Sequence, residues 1–408
     1  MKKLLFSIAL GLITLSAFAG GYRVSLQGQR ALAMGHTGVG VVDSAELAFF
    51  NPAGLVYLEN KLNISGGVTL ISSTAKYQNT LTGESAKTDN PLSTPFNLYI
   101  SYGINDWLSV ALAAYTPYGS SIEWEKDWAG SDLVNSISLK SIYINPVISI
   151  KLDESFSIGG GPIYATGSVN FDRNLVRTPG GTPNNPNVEV DADGVDNWGW
   201  VFSTMFRPSE NVAIGASYRS KIELNARGGD VTFTNIDLPE TQFNATLPLP
   251  AELTFGGSVK VSPKLLLAAE FNRTYWSTYK SLDIDFTNPA STDSRNARNY
   301  KNSNIYRIGA QYDLNDKLTL RGGYYYDESP VQSGFYSPET PRNDSQGFTT
   351  GFSYNVTSKL AIDASFLYLY FSETDESYDS NPNDTVERFS GTYKSNAIIG
   401  GLGLTYKL

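Results

Sequence analysis

The chain has 408 residues, with 31 Lys and Arg against 40 Asp and Glu for a net charge of −9, no cysteine and a single histidine. The acidic balance excludes the cationic phosphate grip that nucleic-acid binding needs. The missing cysteines rule out a disulfide framework and thiolate metal sites, and His36 alone cannot build the multi-histidine zinc centres.

The first predicted element is an export signal. Lys2 and Lys3 precede an apolar run from Leu4 to Leu15, and Ala17-Phe18-Ala19 gives the small-x-small cleavage pattern before Gly20, so residues 1–19 read as a signal peptide. That run is too short to cross a bilayer, and no later stretch reaches the roughly 20 consecutive apolar residues of a helical span. Any membrane passage is therefore made by strands. With 25 Tyr, 20 Phe and 6 Trp, aromatic residues make up 12% of the chain. Tyrosine in excess suits a barrel rim, where the ring sits in lipid and the hydroxyl among headgroups.

Residues 20–60 carry no strand period. They are rich in small residues and weakly helical, with Arg30-Ala31-Leu32-Ala33-Met34-Gly35 and Phe49-Phe50-Asn51-Pro52-Ala53-Gly54-Leu55 as their densest stretches. Inside a barrel such a segment forms a plug, because a barrel of this size otherwise leaves a leaking lumen.

From Lys61 to Leu408 the sequence alternates in polarity with period two. Fourteen predicted strands begin near Lys61, Pro95, Trp107, Ile137, Phe156, Trp198, Val212, Pro250, Leu265, Ile305, Leu318, Gly347, Leu360 and Tyr393. Every second connection is a tight turn, such as Asn105-Asp106, Ser262-Pro263-Lys264 and Asn315-Asp316. The others are long and polar, around 75–92, 119–136, 172–195, 225–247, 276–303, 327–344 and 372–391. Short turns at one end and long loops at the other are the pattern of a bacterial outer-membrane barrel. Leu265, Leu267, Ala269 and Phe271 oppose Lys264, Glu270 and Asn272, which reads as lipid-facing against lumen-facing. The final Gly400, Leu402, Leu404, Tyr406, Leu408 face resembles the terminal strand that directs barrel insertion, with Leu408 where an aromatic residue is usual.

Proline marks two special places. Asn51-Pro52 is a turn-forming pair, since Pro fixes its own φ and pushes the preceding residue toward extended backbone. Pro117, inside the third strand and shortly before Gly119, removes a ladder hydrogen bond and predicts a kink or a strand end.

At these residues the chain resembles the FadL family of outer-membrane transporters for long-chain fatty acids and other hydrophobic compounds. The resemblance runs through Asn51-Pro52-Ala53, Tyr115-Thr116-Pro117-Tyr118-Gly119, Leu247-Pro248-Leu249-Pro250-Ala251, Tyr275-Trp276-Ser277 and the block from Tyr306 to Val331, and covers essentially the whole mature chain. It implies an all-β fold, a 14-stranded antiparallel transmembrane β-barrel over residues 61–408 with a small N-terminal hatch, residues 20–60, inside the lumen. It implies a gate at Phe49, Phe50, Asn51, Pro52 and Ala53, and a lateral opening at the kink formed by Thr116, Pro117, Tyr118 and Gly119. Thr116 aligns with a hydroxyl-bearing ligand contact of the family. The family's basic headgroup contacts do not align cleanly, and Arg173 and Lys301 are the nearest candidates.

The expected function is passive uptake of hydrophobic molecules, long-chain fatty acids first, by a monomer in the outer membrane, in contact with lipid and lipopolysaccharide and without cofactor, metal or nucleic acid. An aromatic-hydrocarbon channel and a surface adhesin or phage receptor are the alternatives. No enzyme is expected, because His36 sits in the plug rather than beside a nucleophile. Asp191-Ala192-Asp193-Gly194-Val195-Asp196 lacks the distal Glu of a calcium loop and reads, like Asp375, Glu376 and Asp379, as a solvated acidic loop, although divalent-ion binding there stays open.

Overall fold

The computed structural model describes residues 21–176, 185–289, 291–379 and 389–408, so the predicted signal peptide lies outside them. Alternation governs the wall. On the second strand, Phe96–Asn105, the side chains of Leu98, Ile100 and Tyr102 face outward while Asn97, Tyr99 and Ser101 are buried. On the tenth, Ser303–Asn315, Ile308 is 58% exposed beside Arg307 at 5%. A soluble protein would place these faces the other way round. An apolar exterior around a polar interior is what lipid selects.

Fourteen antiparallel strands close into a barrel. The first strand, Leu62–Gln78, pairs with the second and also with the last, Phe389–Lys407, from Asn63↔Lys407 to Gln78↔Thr392, so the sheet closes on itself. Among the described residues three strands are interrupted. The third runs Leu108–Tyr115 and resumes at Gly119–Glu123, the seventh comprises Val212–Arg219 and Ile222–Thr234, and the eighth Gln242–Leu249 and Glu252–Ser262.

Two of the predicted long loops turn out to be mostly ladder. The fifth strand, Phe156–Asn174, and the sixth, Asn187–Ser209, pair out to Asn174↔Asn187, and the seventh continues to Thr234. The sixth strand thus begins at Asn187 rather than near Trp198, and Asp191, Asp193 and Asp196 lie on a strand rather than in a loop. The reason is physical. A hairpin that rises past the bilayer is wetted on one face, so its composition becomes polar while Val188, Val190 and Ala192 still alternate inward.

Residues 21–58 pack against the inward-facing side of this wall. They contain the short helices Gln29–Ala33 and Leu47–Phe50 and a 3₁₀ turn, Pro52–Tyr57. Close approach is made possible by wall glycines: a Cβ on Gly323 would lie 2.2 Å from the Gly35 nitrogen, and one on Gly309 would lie 2.2 Å from the Met34 carbonyl oxygen. Charged side chains fix the rest. Arg23 pairs with Asp327 at 3.2 Å, Arg30 with Asp363 at 3.1 Å, and Arg307 with Glu270 at 2.6 Å. Inward charges at membrane depth have to be paired in this way.

Candidate functional site

The third strand breaks where its proline lies. Tyr115 pairs with Tyr143 and Gly119 with Lys140, so residues 116–118 face only 141–142 on the fourth strand, Ser136–Lys151. The extra residue bulges the backbone, and its hydrogen bonds are taken over from inside. Val24 N donates to Pro117 O at 2.8 Å, Gly119 N donates to Tyr22 O at 3.0 Å, and Arg23 bridges Tyr118 in antiparallel sense. Gln27 Nε2 donates to Thr116 O at 3.0 Å. The amino-terminal segment therefore adds a short strand to the interrupted one.

On the other side of the break the wall is open. Thr116 Oγ1 reaches Phe96 O at 3.4 Å, and Asp89 N donates to Glu123 O at 2.8 Å. Between these points, among the described residues, no backbone hydrogen bond joins 91–95 to 117–121. Behind the gap lies a cavity of about 520 Å³, within the range of small-ligand sites. Thr116, Tyr118, Gly119 and Ser120 border it at the wall, and its inner part meets the apolar cluster of Leu26, Tyr325, Leu367 and Ile399.

Pro117 faces a second, small cavity of about 40 Å³ with Phe49, Phe50, His36, Arg23, Arg219 and Arg307. Phe49 packs edge-on against Tyr115 with centroids 4.9 Å apart, and Arg219 lies 4.7 Å over the Phe49 ring while donating to the Tyr115 hydroxyl at 2.6 Å. Tyr118 donates to Glu252 Oε1 at 2.8 Å, and the Tyr22 hydroxyl donates to Pro248 O at 2.5 Å, which ties the third strand's break to that of the eighth. Burial lowers His36 well below the usual imidazole value, and its Nε2 accepts a hydrogen bond from Gln27 N at 3.2 Å. It is a neutral packing residue.

The candidates from the sequence separate in space. Phe49 and Phe50 lie under the kink, whereas Asn51, Pro52 and Ala53 lie against other strands. Asn51 Nδ2 donates to Val39 O and Thr204 O, and Ala53 O accepts from Ser149 and Ser157. Arg173 donates to Asp132 O at 3.1 Å and Lys301 is exposed; neither lines the large cavity. The basic residues that do are Arg23, Lys140 and Arg342. Arg219 falls on the inward face by period-two alternation, opposite Ile214, Ala216 and Tyr218 of its strand. Arg342 stands in an aperiodic loop, where no sequence signal singles it out.

Glu46 offers a pH test of how the inner segment is held. Its carboxylate accepts from Arg30 N at 3.2 Å and Ala31 N at 3.1 Å. Burial pushes it up to about 7, with Asp43 and Asp363 adding to the rise against Arg30. A raised carboxyl contributes stability that is complete below its unfolded value near 4.5 and is lost as pH rises through about 7. Hydrogen-exchange protection of residues 29–46 should accordingly weaken from pH 5 to 8 more in the native protein than in Glu46→Gln. The difference between the two cancels His36, which acts in the opposite sense below about 6.5. Identical pH profiles would refute the assignment.

Residues 10–408 match the family model described as "Outer membrane protein transport protein (OMPP1/FadL/TodX)". The chain is 24% identical to outer membrane protein P1 of Haemophilus influenzae over 416 residues, covering 90% of each chain. It is 22% identical to the long-chain fatty acid transport protein of Escherichia coli strain K12, covering 89% of this chain and 91% of that one. In fold it is similar to the crystal structure of a Pseudomonas aeruginosa FadL homologue, with TM-score 0.82, 20% identity and coverage of 95% and 100%. It is also similar to the Pseudomonas putida toluene transporter TodX, with TM-score 0.74, 16% identity and coverage of 96% and 99%.

Proposed function

The chain belongs to the OMPP1/FadL/TodX family of outer membrane transport proteins, and from that premise we propose that it takes up long-chain fatty acids through the gap in its wall. The observation that carries this reading is the single cavity touching both the apolar inner cluster and the unpaired edges of the second and third strands. A ligand held in this cavity against Leu26, Leu367 and Ile399 leaves sideways past Thr116 and Gly119 into the bilayer.

Burial of an acyl chain favours capture. At about 0.8 kcal/mol per CH₂, a chain of some sixteen carbons gains on the order of 10 kcal/mol at most. Release then needs a moving part, and residues 21–58 act as the hatch. Val24 and Tyr22 hold the kink by two backbone hydrogen bonds, and Phe49 supports it from below through Tyr115. A shift of this segment loosens the kink and the cavity together.

Aromatic hydrocarbons are the second reading, because toluene transporters share the fold. Purified barrel titrated with oleate and with toluene separates them: a rise in melting temperature with oleate at micromolar concentration is expected, since ligand at 100 times Kd stabilises by about 2.7 kcal/mol. A response to toluene alone would transfer the assignment, and a response to neither would favour a surface receptor.

A further inference from the structure

We infer that Arg342 is the headgroup anchor of the wall cavity, selecting amphiphiles that end in a carboxylate over uncharged hydrocarbons of the same length. The inference rests on the reading of that cavity as the transport site. Arg342 lies in the connection between the eleventh strand, Leu318–Asp327, and the twelfth, Ser345–Asn355. It lines the cavity together with its neighbours Pro341 and Ser345.

What distinguishes Arg342 is that it lines the large cavity with neither a counter-ion nor a close hydrogen bond. The other inward arginines are engaged: Arg23 with Asp327 and Glu252, Arg30 with Asp363 and Asp43, Arg298 with Glu339, Arg307 with Glu270 and Arg321 with Asp43, while Arg219, without an ion pair, is held by the Tyr115 hydroxyl, the Phe49 carbonyl and the Phe49 ring. Arg342 makes no ion pair among the described residues, and its guanidinium donates one long hydrogen bond, Nη1 to Gly21 O at 3.4 Å. A guanidinium stays charged at any physiological pH and presents five donors in a planar fork. Most of that capacity is unused by the protein, on a half-buried side chain at the cavity.

The lining charges point the same way. Arg23, Lys140 and Arg342 face a single carboxylate, Asp327, a formal balance of 3 − 1 = +2. Asp327 and Arg23 neutralise each other at 3.2 Å, leaving Lys140 exposed at the membrane side and Arg342 inside. This is a cationic pocket in a chain of net charge −9. Its remaining lining is mostly apolar, so the site joins a hydrocarbon binder to a bidentate anion fork. A neutral hydrocarbon leaves that fork unsatisfied, while a fatty carboxylate fills it.

The test compares oleate with methyl oleate, which has the same chain and no charge. Binding is measured by fluorescence competition on the full-length detergent-solubilised barrel, on Arg342→Met and on Arg342→Lys, each first shown to be folded by heat-modifiable gel mobility. The native protein is expected to prefer oleate by roughly tenfold or more. Arg342→Met should lose that preference by weakening oleate alone, and Arg342→Lys should keep part of it. Equal affinities in the native protein, or a preference that survives in Arg342→Met, would overturn the anchor while leaving transport intact. If the native protein binds neither compound, the transport reading falls, and the anchor with it.

Discussion

Replacing Ser120 by tryptophan should cut uptake of hydrophobic substrate roughly tenfold or more, the equivalent of adding about 1.4 kcal/mol to the passage barrier. Ser120 is a buried residue of the resumed third strand, directly after the kink, and it borders the cavity where the wall is open. Its hydroxyl has no hydrogen-bond partner, so the substitution breaks no bond. An indole there occupies the space between the apolar inner cluster and the gap at 91–95. The strand keeps its pairing with the fourth strand through Ser120↔Leu139, so assembly and the docking of residues 21–58 should be unaffected. Uptake of labelled oleate by cells lacking their own transporter measures the outcome, with Ser120→Ala as the small control. Undiminished uptake by Ser120→Trp would remove the lateral route and direct attention to an exit past residues 21–58.

Glu270→Ala should turn the barrel into a leaking pore. Glu270 Oε2 accepts hydrogen bonds from Gly38 N and Val39 N, both at 2.9 Å, and Oε1 accepts from Arg307 Nη1 at 2.6 Å. One carboxylate thus joins the inner segment to two wall strands. Removing it leaves a buried guanidinium without its partner and two backbone donors without an acceptor. Breaking a buried pair of this kind costs about 3–5 kcal/mol. The wall itself, held by continuous ladders on both neighbouring strands, keeps its shape. The loss therefore falls on the docking of residues 21–58. Larger and noisier conductance in planar bilayers is expected, with faster proteolysis within those residues. Glu270→Gln, which keeps an acceptor but loses the charge, should lie between. Native-like conductance in Glu270→Ala would show that the other anchors hold the segment without this one.

How far the sequence could be read depends on the range of the interaction involved. Strand positions follow from nearest-neighbour alternation, as at Leu98 and Ile100 against Tyr99 and Ser101, and so the barrel could be counted in advance. The tall hairpin through Val188 and Val190 was mistaken for a loop because the polar face above the bilayer masks the same alternation. Pro117 announced a break, since a missing backbone donor is a property of one residue. What satisfies the strand groups freed by that break did not show: Tyr22 O and Val24 N lie more than ninety positions away, and their contribution is backbone, which almost any residue supplies. Arg342 is a further case. Its meaning comes from the carboxylate it does not meet, and an absent contact leaves no pattern along a chain.

The position of Arg23 also dictates an order of assembly. Its partners Asn272, Thr274 and Asp327 stand 249, 251 and 304 residues further along, and those of Arg30 reach Asp363, 333 residues away. Contacts of such separation form late, because the chain between them must first be ordered. The segment made first at the amino terminus can therefore settle only after the ninth to thirteenth strands are in place. Each newly inserted molecule passes through a state with a finished wall and an unfilled centre. For the cell, the rate at which that centre fills sets how long every new copy is a breach in its outer permeability barrier.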